Sequence, residues 1–176
     1  FLCGNGLFLP FRSKAFDLVI CHFYLMWVKD NLRALKEMLR AARSGGTIIA
    51  FAEPDYGSRI DLPDEMKALG ILQNRALTFQ GADFRMGKKL KDIFEQSGLQ
   101  DVHAIKISRN RQTQNINDSE WQTEWEVLKS DLQELVKRKI ITDKDIEKYY
   151  QIAAKARQEG KLLLYVPTYY AWGKVQ

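Results

Sequence analysis

His22 and His103 are the only imidazoles among 176 residues, and His22 stands directly after the apolar run FDLVIC, Phe16 to Cys21. An imidazole titrates near neutrality, so His22 could take a proton from an acceptor hydroxyl or amine; a packed, hydrogen-bonded structural histidine is the alternative reading. Trp27 and the Tyr24 to Met26 stretch before it offer aromatic and apolar surface that attracts a cation, or else fill core. Glu53, Asp55, Tyr56 and Arg59 follow a second apolar run, TIIAFAE, and Gln80 before Gly81 can return to them from a helix end. Loop residues at strand ends are favoured places for binding, although an Asp there also forms turns. Asn5 and Gly6 are turn formers, and the Asn side-chain carbonyl can accept a hydrogen bond.

These residues need a scaffold, and the apolar patterning supplies one. FDLVIC reads as a strand buried on both faces of a parallel sheet. Asp30 caps a helix with Leu32, Leu35, Met38, Leu39 and Ala42 at helical spacing, which SGG stops with Gly45 left-handed. Thr47 to Glu53 is a second buried strand, so strand, helix and strand form a right-handed crossover, the mark of an α/β sheet.

Pro63 suits the first turn of a helix over Leu62 to Phe79, with Met66, Leu69, Gln73 and Leu77 on one side. A helix with Leu90, Ile93 and Phe94 inward stops at Gly98, and Val102 to Ser108 alternates like a strand. Asn117 with Glu120, and Thr142 with Asp145, have the spacing of capping boxes. The first opens a helix striped by Trp121, Trp125, Leu128, Leu132 and Leu135, and the second a helix that runs to Gly160. KLLLYVPTYYAWGKV gives a last strand, broken or bulged at Pro167.

The length suits one domain, with 45% hydrophobic and 28% charged residues as in ordinary globular chains. No apolar run reaches the roughly 20 residues of a membrane span and no signal peptide is visible, so a cytoplasmic location is expected. Cys3 and Cys21 lack a Cys-x-x-Cys spacing and read as reduced thiols, and no metal-ligand cluster stands out. The net charge of +5 concentrates in Arg85 to Lys91 and Lys106 to Arg111. Solvated helix faces account for such runs, and an RNA partner is the alternative.

The run from the Leu-Pro-Phe turn through FDLVIC, the helix carrying Ala-Leu-x-Glu-x-x-Arg, Gly-Gly and TIIAFAEPD resembles class I S-adenosylmethionine-dependent methyltransferases of the small-molecule type. The resemblance implies a Rossmann-like sheet, mostly parallel with an antiparallel last strand. It implies S-adenosylmethionine as cofactor, with Asn5 and Gly6 at the adenine and Cys21, His22, Phe23 and Trp27 around the methionine part. It further implies a small-molecule acceptor held by Glu53, Asp55, Tyr56, Arg59 and Gln80, with His22 the candidate base.

The family's first strand, its Gly-x-Gly-x-Gly loop and the acidic residue for the ribose are not in this sequence, and Asn5 stands where an acidic residue meets the adenine amino group. A chain truncated at its N-terminal side is the expectation. FDLVIC would then present an apolar edge for a missing lobe or a second copy to cover. A non-catalytic binding or oligomerisation fragment, or an RNA methyltransferase, are the competing functions.

Overall fold

The computed structural model describes residues 2–107 and 117–176. In chain order its elements are β1 (Phe16–His22), α1 (Asn31–Ala41), β2 (Ala42–Pro54), β3 (Ile60–Leu62), α2 (Glu65–Phe79), α3 (Met86–Ser97), β4 (Gln100–Ile107), α4 (Asp118–Lys137), α5 (Asp143–Gln158), β5 (Leu163–Tyr165) and β6 (Thr168–Lys174). Short 3₁₀ turns occupy Leu25–Trp27 and Tyr56–Ser58. Two compact units result: the described residues of Phe1–Asp55, Arg85–Ser108 and Pro167–Gln176, and those of Tyr56–Phe84 and Arg109–Val166. None of the helices among the described residues is long and apolar enough to cross a membrane.

The first unit is an α/β sheet in the order β1-β2-β6-β4. β1 and β2 run parallel, with Val19 opposite Ile48 and Cys21 opposite Ala50, as the crossover requires. β6, the last strand, enters between β2 and β4 and is antiparallel to both. Leu35 and Met38 of α1, Ile48 and Ala50 of β2, and Leu90 and Phe94 of α3 are buried as its core. α3 comes so close to the end of β2 that a methyl group on Gly87 would meet the Glu53 carbonyl at 2.6 Å, which is why only glycine fits there.

The Asp30 carboxylate caps α1 by accepting from the Arg33 N–H at 3.0 Å. The helix nevertheless stops at Ala41, not at SGG, and β2 begins at Ala42. The carbonyls of Arg40 and Ala41 accept from the N–H groups of Lys14 and Ala15 at 2.9 and 2.7 Å. The segment before β1 thus satisfies acceptors that a helix end leaves open. Gly45 is left-handed, with φ of 76°, inside the β2 span.

β1 corrects the expectation of a strand covered on both faces. Among the described residues it pairs with β2 alone, and Leu18 and Ile20 are 47% and 52% exposed. An apolar run signals burial against something, but does not name the partner. The helix expected from Leu62 also differs: Leu62 closes β3 and α2 starts at Glu65. The stretch around Pro167 is two strands in two sheets. β5 pairs with β3, while β6 joins the larger sheet. Proline has no N–H to continue a ladder, and the Pro167 carbonyl instead accepts from the Asp55 N–H at 2.9 Å.

In the second unit β3 and β5 form an antiparallel pair, Asp61 opposite Leu164. Met66, Leu69, Trp121, Trp125, Leu132 and Leu135 are buried together beside Ile146 and Ala153 of α5. Both predicted capping boxes form: Asn117 Oδ1 accepts from the Glu120 N–H at 2.9 Å, and Thr142 Oγ1 from the Asp145 N–H at 3.3 Å. The striped α4 is therefore core. Leu132→Ala is expected to lower the unfolding free energy by about 2–5 kcal/mol, because Leu132 is fully buried. Val127→Ala, on the exposed side of α4, should stay within about 0.5 kcal/mol in the same denaturant titration.

Candidate functional site

Parallel strands bring their carboxyl ends to one side of a sheet, where ligands of open α/β folds bind. At the ends of β1 and β2 the backbone bends in both strands: Phe23 and Ala52 hold φ of 49° and 55°. The Phe23 N–H still reaches the Phe51 carbonyl at 3.0 Å. The chain then enters the Leu25–Trp27 turn, whose leading N–H groups have no carbonyl to bond.

Glu53 supplies the acceptor. Its Oε1 accepts from the N–H groups of Tyr24 and Leu25, both at 2.8 Å, and its Oε2 from that of Met26 at 3.0 Å. The side chain is completely buried. Burial pushes its carboxyl above the ordinary value, while the three N–H dipoles and nearby His22 pull it down. The Cys21 thiol is pushed up to about 12 by burial and then by the Glu53 charge.

The Asn5–Gly6 turn reaches the same place. Asn5 Oδ1 accepts from the Leu7 N–H at 2.9 Å, and its backbone carbonyl from the Phe8 N–H at 2.9 Å. One lone pair of the side-chain carbonyl is thereby used and a second is left. Any side chain on Gly6 would overlap the Tyr24 hydroxyl, so the bare backbone of Gly6 rests on that ring. Tyr24 is thus touched by the Asn5–Gly6 turn, by Glu53 and, through the chain, by His22 and Phe23. An open, mostly apolar groove of about 590 Å³ runs along it, lined by Gly4, Gly6, Leu18, Ile20, His22 and Tyr24.

Leu25 and Met26 are core, whereas Trp27 is 39% exposed and meets the exposed Phe23 ring edge-on at 6.3 Å.

The Leu-Pro-Phe turn is braced by the Glu-x-x-Arg pair of α1. Arg40 donates Nε and Nη2 to the two carboxylate oxygens of Glu37, each at 3.0 Å. It also donates to the carbonyls of Phe11 at 2.8 Å and Leu9 at 3.0 Å. Glu37 Oε2 in turn accepts from the Leu9 N–H at 3.0 Å. The hydrogen bond from Arg40 holds the Glu37 carboxyl below its ordinary value.

The remaining proposed residues divide between the units. Asp55, in the first, is buried. Tyr56, Arg59 and Gln80 belong to the second. Arg59 forms a buried ion pair with Asp61, with Nε to Oδ2 at 2.7 Å, and donates to Gln73 Oε1 at 2.8 Å. Gln73 then donates to Asp131 Oδ2 at 2.7 Å. Burial raises both carboxyls, Asp61 and Asp131, and lifts the Tyr56 phenol to about 12. Gln80 is exposed and donates to the Asp131 carbonyl at 3.1 Å.

Sequence reasoning missed this network, because Asp61, Gln73 and Asp131 lie far apart in the chain. A polar Gln73 on the apolar side of α2 was the one available signal. Of the basic runs, Lys88, Lys89 and Lys91 stand on the exposed face of α3, and the second run passes outside the described residues from 108 onward.

Weakening the brace has a readable outcome. Glu37→Gln should speed hydrogen exchange at the Leu9 amide by about ten- to a hundredfold, given roughly 1.5–3 kcal/mol for charged hydrogen bonds. A carboxyl held low contributes stability above its unfolded value and loses it as pH falls through its folded one. Leu9 protection in the unsubstituted chain should therefore be flat above the ordinary carboxylate range and fall progressively from there down through the lower folded value.

Residues 1–50 match the family model described as methyltransferase domain. The demethylmenaquinone methyltransferase of Shouchella clausii is 31% identical over 118 residues, covering 56% of this chain and 48% of that protein. The chain thus spans about half the length of the curated relatives it matches. Phosphoethanolamine N-methyltransferase 2 of Haemonchus contortus, solved with phosphomonomethylethanolamine and S-adenosylhomocysteine, superposes with a TM-score of 0.54 at 13% identity, over 98% of this chain and 36% of that one. A SAM-dependent methyltransferase of Thermotoga maritima gives a TM-score of 0.52 at 14% identity, over 99% and 63%. The chain shares the α/β fold of these solved methyltransferases, and its first 50 residues, which hold the Asn5–Gly6 turn, β1 and its rim, match the methyltransferase-domain model.

Proposed function

We propose that this chain is part of an S-adenosylmethionine-dependent methyltransferase with a small-molecule acceptor, and that the rim around Tyr24 receives the cofactor. The convergence of the Asn5–Gly6 turn and the His22–Phe23 strand end on Tyr24 carries this reading. Both lie within the residues matched by the family model.

The residues present fit one side of a nucleoside. Asn5 keeps a free lone pair for an exocyclic amine, Gly6 adds no side chain, and the exposed rings of Phe23 and Trp27 suit a cation. No Gly-x-Gly-x-Gly run occurs in the sequence to hold the other side. S-adenosylmethionine, when bound, supplies a methyl group on a cationic sulfonium. The work left to the protein is to align the acceptor, exclude water and handle one proton, for which exposed His22 is the nearest imidazole.

The names of the 31–33% identical relatives favour a demethylated quinone as the acceptor class. Of the residues expected to hold an acceptor, Arg59 has its guanidinium already engaged by Asp61 and Gln73 within the second unit.

Calorimetric titration with S-adenosylhomocysteine tests this: saturable heat at one site per chain is expected, and a titration without heat overturns it. A second reading, self-association, is favoured by the edge of β1, where Leu2, Phe8, Phe11, Phe16, Leu18 and Ile20 are all exposed. Exposed apolar edge strands pair with other chains. Sedimentation should then show association rising with concentration, and Ile20→Lys should abolish it.

A further inference from the structure

From these contacts we infer that Glu53, named from sequence as an acceptor contact, is instead the positioning residue of the cofactor rim, its carboxylate fixing the turn from His22 to Met26 from beneath. The inference rests on the methyltransferase reading of that rim.

Three features separate Glu53 from a surface acid at a strand end. It is completely buried, so no solvent-borne acceptor reaches its oxygens in this arrangement. Both oxygens accept from three consecutive N–H groups at 2.8 to 3.0 Å, a concave set of donors that suits an anion. Its backbone is equally constrained: Ala52 before it is left-handed, the pairing with β6 shifts between Ala50 and Glu53, and Gly87 of α3 packs on its carbonyl. The side chain is thereby aimed across the ends of two strands from a rigid base.

What it holds is the rim itself. Tyr24, whose N–H it receives, is the ring against which Gly6 rests, and Tyr24 follows left-handed Phe23 and exposed His22. Left-handed backbone is unfavourable for a phenylalanine and persists only where surroundings fix it. Without the carboxylate, three N–H groups, those of Leu25 and Met26 in fully packed residues, lose their acceptor. The rim would then sample other conformations, and a ligand that needs the closed one would bind more weakly in proportion to the closed fraction.

Glu53→Gln is the test, since an amide keeps the shape but turns an NH₂ toward one of the donors. The expected result is saturable S-adenosylhomocysteine binding by the unsubstituted chain and at least tenfold weaker binding by the variant, with a cooperative melting curve in both. Equal affinity within twofold overturns the inference while leaving the methyltransferase reading standing. Absence of binding by the unsubstituted chain overturns that reading and this inference with it.

Should the variant not fold, hydrogen exchange on the unsubstituted chain decides. Binding to the closed rim suppresses its opening. At a hundredfold excess of S-adenosylhomocysteine over its dissociation constant, the amides of Tyr24, Leu25 and Met26 should exchange about a hundredfold more slowly, a larger change than in α3. An unchanged rate at these three amides overturns the inference, as does slowing equal to that of α3.

Discussion

A buried carboxylate at the end of β2 faces three N–H groups at the end of β1, and the rim of the sheet depends on that contact. Parallel strands leave their ends without the hairpin that would tie an antiparallel pair, so their relative position there must come from something else. Glu53 provides it with charge-assisted hydrogen bonds, which are stronger than neutral ones where water is excluded. The desolvation that raises its carboxyl is the cost of placing an anion there, and the N–H dipoles offset part of it.

A second polar tie works on the outer side of the same unit. The Glu37–Arg40 pair is partly exposed, where ion pairs contribute little. Its value lies in geometry, because Arg40 also bonds the carbonyls of Leu9 and Phe11. A planar guanidinium with five donors in a fixed fork can hold a carboxylate and two carbonyls together, which a lysine cannot. The Leu-Pro-Phe turn is thus fixed to α1, and Gly6 to Tyr24, so the segment before β1 has a defined course although it contains no regular element. In the second unit Arg59, Asp61, Gln73 and Asp131 form a comparable chain, in which the Arg59–Asp61 ion pair is buried.

The resemblance stated from sequence agrees with the residues the family model matches and with the fold. A fold hosts many reactions, so the fold does not identify an acceptor. The chemistry assigned to the rim comes from its donors, its exposed rings and its spare lone pairs.

Local patterns in the sequence determined the helices, their capping boxes at Asn117 and Thr142, the α/β crossover and the core stripe of α4, because those features depend on neighbours a few residues away. The tertiary structure alone decided that Pro167 separates strands of two sheets and that α1 ends where Lys14 and Ala15 meet its carbonyls, whereas the edge position of β1 among the described residues follows the sequence expectation. It also decided the role of Glu53. An acid after a strand reads the same whether it faces solvent or a turn 27 to 29 residues earlier, since only the packed chain determines which donors surround it and whether water remains.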